Sequence, residues 1–163
     1  MRGRVVALLL LFACTNVALT AEPEAGETRR SMVVVVNPQV AQENISESDL
    51  RKVLIGETRF WEDGTGITLL IQAPVSWERD VLLGKIMQMT EAQYRQFWIS
   101  KVFRTEVASG PKVVLSNDMA ATLIGKIPGC VAFFNSDEVP AGAKVLRIDG
   151  LTPDDENYPL RFE

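Results

Sequence analysis

Residues 72–80 read Gln-Ala-Pro-Val-Ser-Trp-Glu-Arg-Asp and bring a hydroxyl (Ser76), an aromatic ring (Trp77), a carboxylate (Glu78) and a guanidinium (Arg79) together in four positions. They stand between an apolar run, Ile67 to Ile71, and a segment with apolar residues at helical spacing, Val81, Leu82, Ile86, Met87 and Met89. A strand that enters a helix through a short turn leaves the first helical N–H groups unpaired, a setting that suits an anion or a small polar ligand. Ser76 and Arg79 are therefore the candidate anion ligands. Trp77 stands beside them, and Asn37, closing another predicted strand, is expected to face the same strand ends. The competing reading is structural, with Ser76 as a helix cap, Glu78 favourable in the first turn and Arg79 on the solvated surface.

Other chemistry has little support. The chain has no histidine, which removes the commonest general base and the commonest metal ligand. The carboxylates Asp63, Glu78 and Asp80 have no acid/base spacing to recommend them, so no catalytic residue, metal or cofactor is expected. Cys130 opens an apolar run and reads as a packed small residue, not as a reactive thiol. Trp61 reads as a lid on the core in preference to a ligand-stacking ring.

The elements that must position residues 72–80 follow from periodicity. Met32 to Val36 is a β-branched run that predicts a buried parallel strand. A short helix over 47–55 is capped by Ser46 or Ser48 and stopped at Gly56. The strand Ile67 to Ile71 leads into one helix over 77–88. Thr90-Glu91-Ala92-Gln93 matches a capping box for the next helix, whose stripe of Tyr94, Phe97, Trp98, Lys101 and Val102 reads as core. After the break at Ser109-Gly110-Pro111 come a short extended segment from Lys112 to Leu115 and a helix capped by Ser116 or Asn117 and ending at Gly125. Strands Cys130 to Phe134 and Lys144 to Ile148 complete the order. One α/β domain over 32–149 is expected, a three-layer sandwich on a mostly parallel sheet. The acidic tail, 150–163, either wraps the surface through Tyr158, Leu160 and Phe162 or stays loose.

The beginning of the chain reads as a targeting segment. Arg2 and Arg4 precede the apolar stretch Val5 to Ala13, too short for a transmembrane helix, and small residues follow to Ala21. Leu11-Phe12-Ala13-Cys14 resembles a bacterial lipobox, and ordinary cleavage near Ala18 or Ala21 competes with it. A polar leader, 22–31, follows. Taking Arg2 and Arg4 away from 17 basic residues leaves 15 against 21 acidic ones, a balance of −6. That charge, with no basic patch, argues against nucleic-acid partners. Export to a bacterial periplasm is expected, with or without a lipid anchor at Cys14, and with no transmembrane segment in the mature chain.

Three segments also resemble a known family. Residues 49–64 (DLRKVLIGETRFWEDG) are similar to the helix, glycine, basic residue, tryptophan and Asp/Gly passage of phosphate ABC-transporter substrate-binding proteins. Pro128 to Phe133 (PGCVAF) resembles their Pro-Gly-Ala-Ile-Gly-Tyr strand, and Tyr94 to Phe103 resembles their tryptophan-containing helix. The resemblance implies a single lobe of the type II periplasmic-binding-protein fold. It further implies a non-catalytic exported module, a phosphate-like oxyanion ligand and an envelope or membrane-transport protein partner; the alternative is an envelope interaction domain that kept the fold and lost the ligand. In that family an arginine and a Ser-Gly-Thr turn at a helix start hold phosphate. Ser76 falls on the turn serine, but Trp77 replaces the glycine, Glu78 the threonine, and Ile71 or Gln72 the arginine. Trp77 adds bulk where an anion needs close backbone approach. Glu78 would repel a like charge 4 Å away by about 1 kcal/mol even in water. Low phosphate affinity is the expectation.

Overall fold

The computed structural model describes residues 30–162. The targeting segment, Cys14 and residues 22–29 of the leader lie outside the described residues. Six strands form the main sheet: β1 (Arg30–Val36), β3 (Thr68–Gln72), β4 (Lys112–Val114), β5 (Cys130–Asn135), β6 (Lys144–Val145) and β8 (Arg161–Phe162). Their order is β4-β3-β5-β1-β6, with β8 also on β1. β3 runs parallel to β4 and β5, whereas β1 is antiparallel to β5, β6 and β8. The sheet is thus mostly parallel in direction, with β1 alone reversed. That reversal corrects the parallel direction expected of the valine run, which reports cover on both faces but says nothing about strand direction.

Alternation along the strands divides the core. Met32, Val34, Val36, Leu69, Ile71, Val131 and Phe133 face one side, and Val33, Val35, Leu70, Cys130, Ala132 and Phe134 the other. The first side is covered by α1 (Glu47–Leu54), α2 (Trp77–Val81) and α3 (Glu91–Phe103), the second by α4 (Asn117–Lys126). This is the expected three-layer arrangement. The caps are Ser46, Thr90 with Gln93 in a full capping box, and Ser116. The helix predicted over 77–88 becomes π-helical at Leu82–Met87 and stops at Gln88, whose φ is 55°.

Two segments depart from the simple reading. The run expected as one strand over 144–148 divides, because Leu146 N–H donates to Val34 O at 2.8 Å while Arg147 N–H donates to Glu43 O at 2.9 Å. Its second half, β7 (Arg147–Ile148), pairs in parallel with β2 (Asn44–Ile45) as a separate small sheet. The C-terminal segment wraps: Tyr158 and Leu160 are buried, and Met32 N–H donates to Leu160 O at 2.8 Å.

Trp61 is buried and its indole N–H donates to Gly129 O at 2.9 Å, the core-lid role. The Cys130 thiol is also buried, and desolvation pushes its pKa up to about 12, leaving it inert at neutral pH. Tyr94 and Trp98 of the α3 stripe are core residues, whereas Val102 is 40% exposed and lies outside it.

Candidate functional site

The sheet topology creates a crevice at the carboxyl ends of β3, β4 and β5. From β3 the chain crosses to one neighbour, β4, through α2 and α3 on one face. From β4 it returns past β3 to β5 through α4 on the other face. Connections that leave adjacent strand ends in opposite directions hold their loops apart, and the gap between them is where α/β sheets place ligands. Here the gap is a cleft of about 490 Å³, walled by the turn from Gln72 to Glu78, by Leu115 to Asn117, and by Asn135 and Glu138, with Arg30 also lining it.

Ser76 and Trp77 belong to this cleft. The Ser76 hydroxyl accepts the Arg79 N–H at 3.2 Å, so it caps α2 while lining the cavity. Preceding it, Val75 holds φ at 78° and is 93% exposed. A β-branched residue in the left-handed region is strained by about 1–2 kcal/mol. Val75→Gly should relieve that strain and, after the extra entropy glycine loses on folding, raise stability by about 0.5–1 kcal/mol. A urea unfolding curve checks this, and a fall in stability would argue against the strained turn.

Arg79 and Asn37 are placed elsewhere. Arg79 is only 4% exposed. Its guanidinium makes a two-pronged pair with Glu91, Nε to Oε2 at 3.0 Å and Nη2 to Oε1 at 2.9 Å. Nη1 donates to Gln72 O at 3.2 Å, and the group lies 4.6 Å from the Tyr94 ring centre. All three of its nitrogens are engaged in tying β3 and α2 to α3, so it is neither the free anion clamp nor the solvated surface residue of the two sequence readings. Asn37 ends the reversed strand, and its N–H donates to Cys130 O at the start of β5. It therefore lies at the opposite end of the strands from Ser76. There it is buried, giving its side-chain N–H to Ile124 O at 2.6 Å, one of the orphan carbonyls that close α4.

The cleft residues missed from sequence are Asn117 and Glu138, which meet Glu78 in its lining. Asn117 Nδ2 donates to Glu138 Oε2 at 2.5 Å and to Glu78 Oε1 at 3.4 Å. Its Oδ1 accepts from Gln72 Nε2 at 3.3 Å, and Gln72 Nε2 also reaches Phe133 O. Glu78 is only 7% exposed. Neither glutamate has a basic side chain within ion-pair distance among the described residues. The signal that could have found Asn117 and Glu138 is shared direction: β3, β4 and β5 each run into a polar turn, and co-directional strands place those turns on one edge.

Solved structures share this fold. PstS from Borrelia burgdorferi aligns with a TM-score of 0.64 and 17% identity over 82% of this chain and 55% of that one. An ABC-type phosphate transport receptor from Vibrio cholerae gives 0.64 and 20% over 81% and 54%. A putative phosphate ABC transporter substrate-binding protein from Clostridium perfringens, crystallised with bound phosphate, gives 0.64 and 10% over 82% and 53%. The chain has the fold of the phosphate-transport receptors. It spans about half the length of these receptors. No family model and no curated protein sequence matches it. Among the described residues no helix is long and apolar enough to cross a membrane, and the cleft lining carries two carboxylates, Glu78 and Glu138.

Proposed function

We propose that the chain is an exported, non-catalytic binding module of the periplasmic substrate-binding kind, whose ligand site is the cleft at the ends of β3, β4 and β5. The observation that carries this reading is the cleft's position at the point where the helical connections diverge, within a fold shared with phosphate-transport receptors over 81–82% of the chain. Its phosphate affinity is low. Glu78 and Glu138 line the cleft, and Arg79, the cation nearest in sequence, is held by Glu91. The module works in the periplasm, soluble or anchored at Cys14, and delivers its ligand to an envelope or membrane-transport protein.

A ligand panel tests the proposal. Oxyanions, amines and neutral polar compounds are added to the processed chain while melting temperature and tryptophan fluorescence are followed, Trp77 being the reporter at the cleft. A true ligand at a hundred times its dissociation constant stabilises the fold by about 2.7 kcal/mol. The expected result is a clear shift with one class and little with millimolar phosphate. Silence across the panel would favour a module that kept the receptor fold and lost its ligand.

A further inference from the structure

We infer that two copies of this chain join edge to edge through β4, about a two-fold axis that passes beside Val113 and carries the sheet from one copy into the other. β4 ends the strand order, so among the described residues its outer side has no neighbouring strand. Ala73 N–H donates to Val114 O at 2.8 Å, which turns the main-chain groups of Val114 toward β3. Backbone groups alternate in direction along a strand, so the N–H and C=O of Val113 point outward from the edge of the sheet. Its side chain lies on the α3 face, in an apolar groove with Ile99 and Pro111.

The apolar surface around this edge matches a second copy. Six of the eight large apolar side chains exposed among the described residues fall between residues 99 and 119. Ile99, Val102 and Phe103 belong to α3, Val113 and Leu115 to β4 and the residue just past it, and Met119 to α4. None belongs to β6, the strand at the other edge. Phe103 is 88% exposed and forms a second apolar groove with Ile99, Val102, Trp98 and Gly110. The six together expose about 700 Å² per copy, close to the ~800 Å² that each partner gives up in a standard interface. Both helical layers contribute, as does the strand between them. A two-fold axis normal to the sheet sets β4 antiparallel to its counterpart and, by the same rotation, brings α3 beside α3 on one face and α4 beside α4 on the other. An added peptide strand would pair with Val113 but leave Phe103 and Met119 in water. A lipid surface has no partner for the backbone groups of an open strand edge. Pairing Val113 with its counterpart supplies two N–H···O bonds, and it sets Leu115 opposite Pro111 across the axis, where the proline C=O accepts the Leu115 N–H. Leu115 also walls the cleft, so each copy borders the other's cleft along that side.

Sedimentation of the processed chain tests this. It should give the mass of a dimer at about 100 μM, since interfaces of this area hold in the micromolar range or more tightly. Phe103→Glu, at an exposed position, and Val113→Pro, which removes only the outward N–H, should each raise the dissociation constant at least tenfold and leave the monomer folded. If Val113→Pro does not fold, Phe103→Glu decides together with cross-linking. Val113→Cys should form a covalent dimer under mild oxidation, and Glu43→Cys, an exposed site beside the small β2–β7 sheet, should not. A monomer at every concentration would overturn the inference, as would a dimer that both Phe103→Glu and Val113→Pro leave intact, or equal cross-linking at the two cysteine positions. A monomer that binds phosphatidylglycerol vesicles, and loses them with Phe103→Glu, would overturn it too and assign the patch to a membrane.

Discussion

Replacing Arg79 by alanine is expected to destabilise the fold by about 3 kcal/mol, a large share of the stability of a domain this size. The truncation removes a two-pronged ion pair with Glu91, a hydrogen bond to Gln72 O and a cation–π contact with Tyr94, all from a side chain that is 4% exposed. It also leaves Gln72 O without the Arg79 donor at the end of β3, beside the cleft. Arg79→Lys should recover only part of the loss, since an ammonium cannot reproduce the planar fork that engages both Glu91 oxygens. Urea unfolding of the two variants measures this directly. A cost below about 1 kcal/mol for the alanine variant would place Arg79 among ordinary surface ion pairs. A ligand clamp would behave differently, losing binding with little change in stability.

Gly129→Ala should be at least as damaging, at about 3 kcal/mol or more. Gly129 has φ +67°, and a Cβ there would lie 2.1 Å from Gly66 O and 2.9 Å from Thr65 Cγ2. The obstacle is backbone, which cannot rotate away as a flexible side chain can. Gly129 O also accepts the Trp61 indole N–H and the Thr68 N–H at 3.2 Å, so shifting it disturbs the start of β3 and the core lid together. Gly125→Ala is the control: it lies in α4 with nothing within 4 Å of a new Cβ and should gain about 0.5–1 kcal/mol. Equal responses at the two positions would contradict the close approach at Gly129.

These residues mark the boundary of what the sequence reveals. Ser46, Thr90 and Ser116 are legible as caps because each acts on an N–H group three residues away. The strands of the central sheet are legible from β-branched runs, but their direction is not, and direction decides the site. Reversing β1 sends Asn37 to the opposite end of the strands, while the parallel trio β3, β4 and β5 assembles Ser76, Asn117 and Glu138 from three separate turns. Arg79 has the same difficulty on a smaller scale. Its type and neighbours suggest an anion ligand or a solvated surface, and only the packing of α3 brings Glu91 against it. The small β2–β7 sheet has two residues on each side, too few for any periodic signal.

The reversal of β1 also sets an order of events during synthesis. Its three neighbours, β5, β6 and β8, all lie beyond residue 129, so Met32-Val33-Val34-Val35-Val36 is made well before any of its partners. Contacts so distant in sequence form slowly, since loop closure precedes any gain from pairing. Throughout that interval the most apolar strand has open edges and could join another chain as readily as its own. Holding the nascent chain unfolded until β5, β6 and β8 have been made, as a holdase would, is therefore more valuable here than in a fold whose first strand pairs with its second.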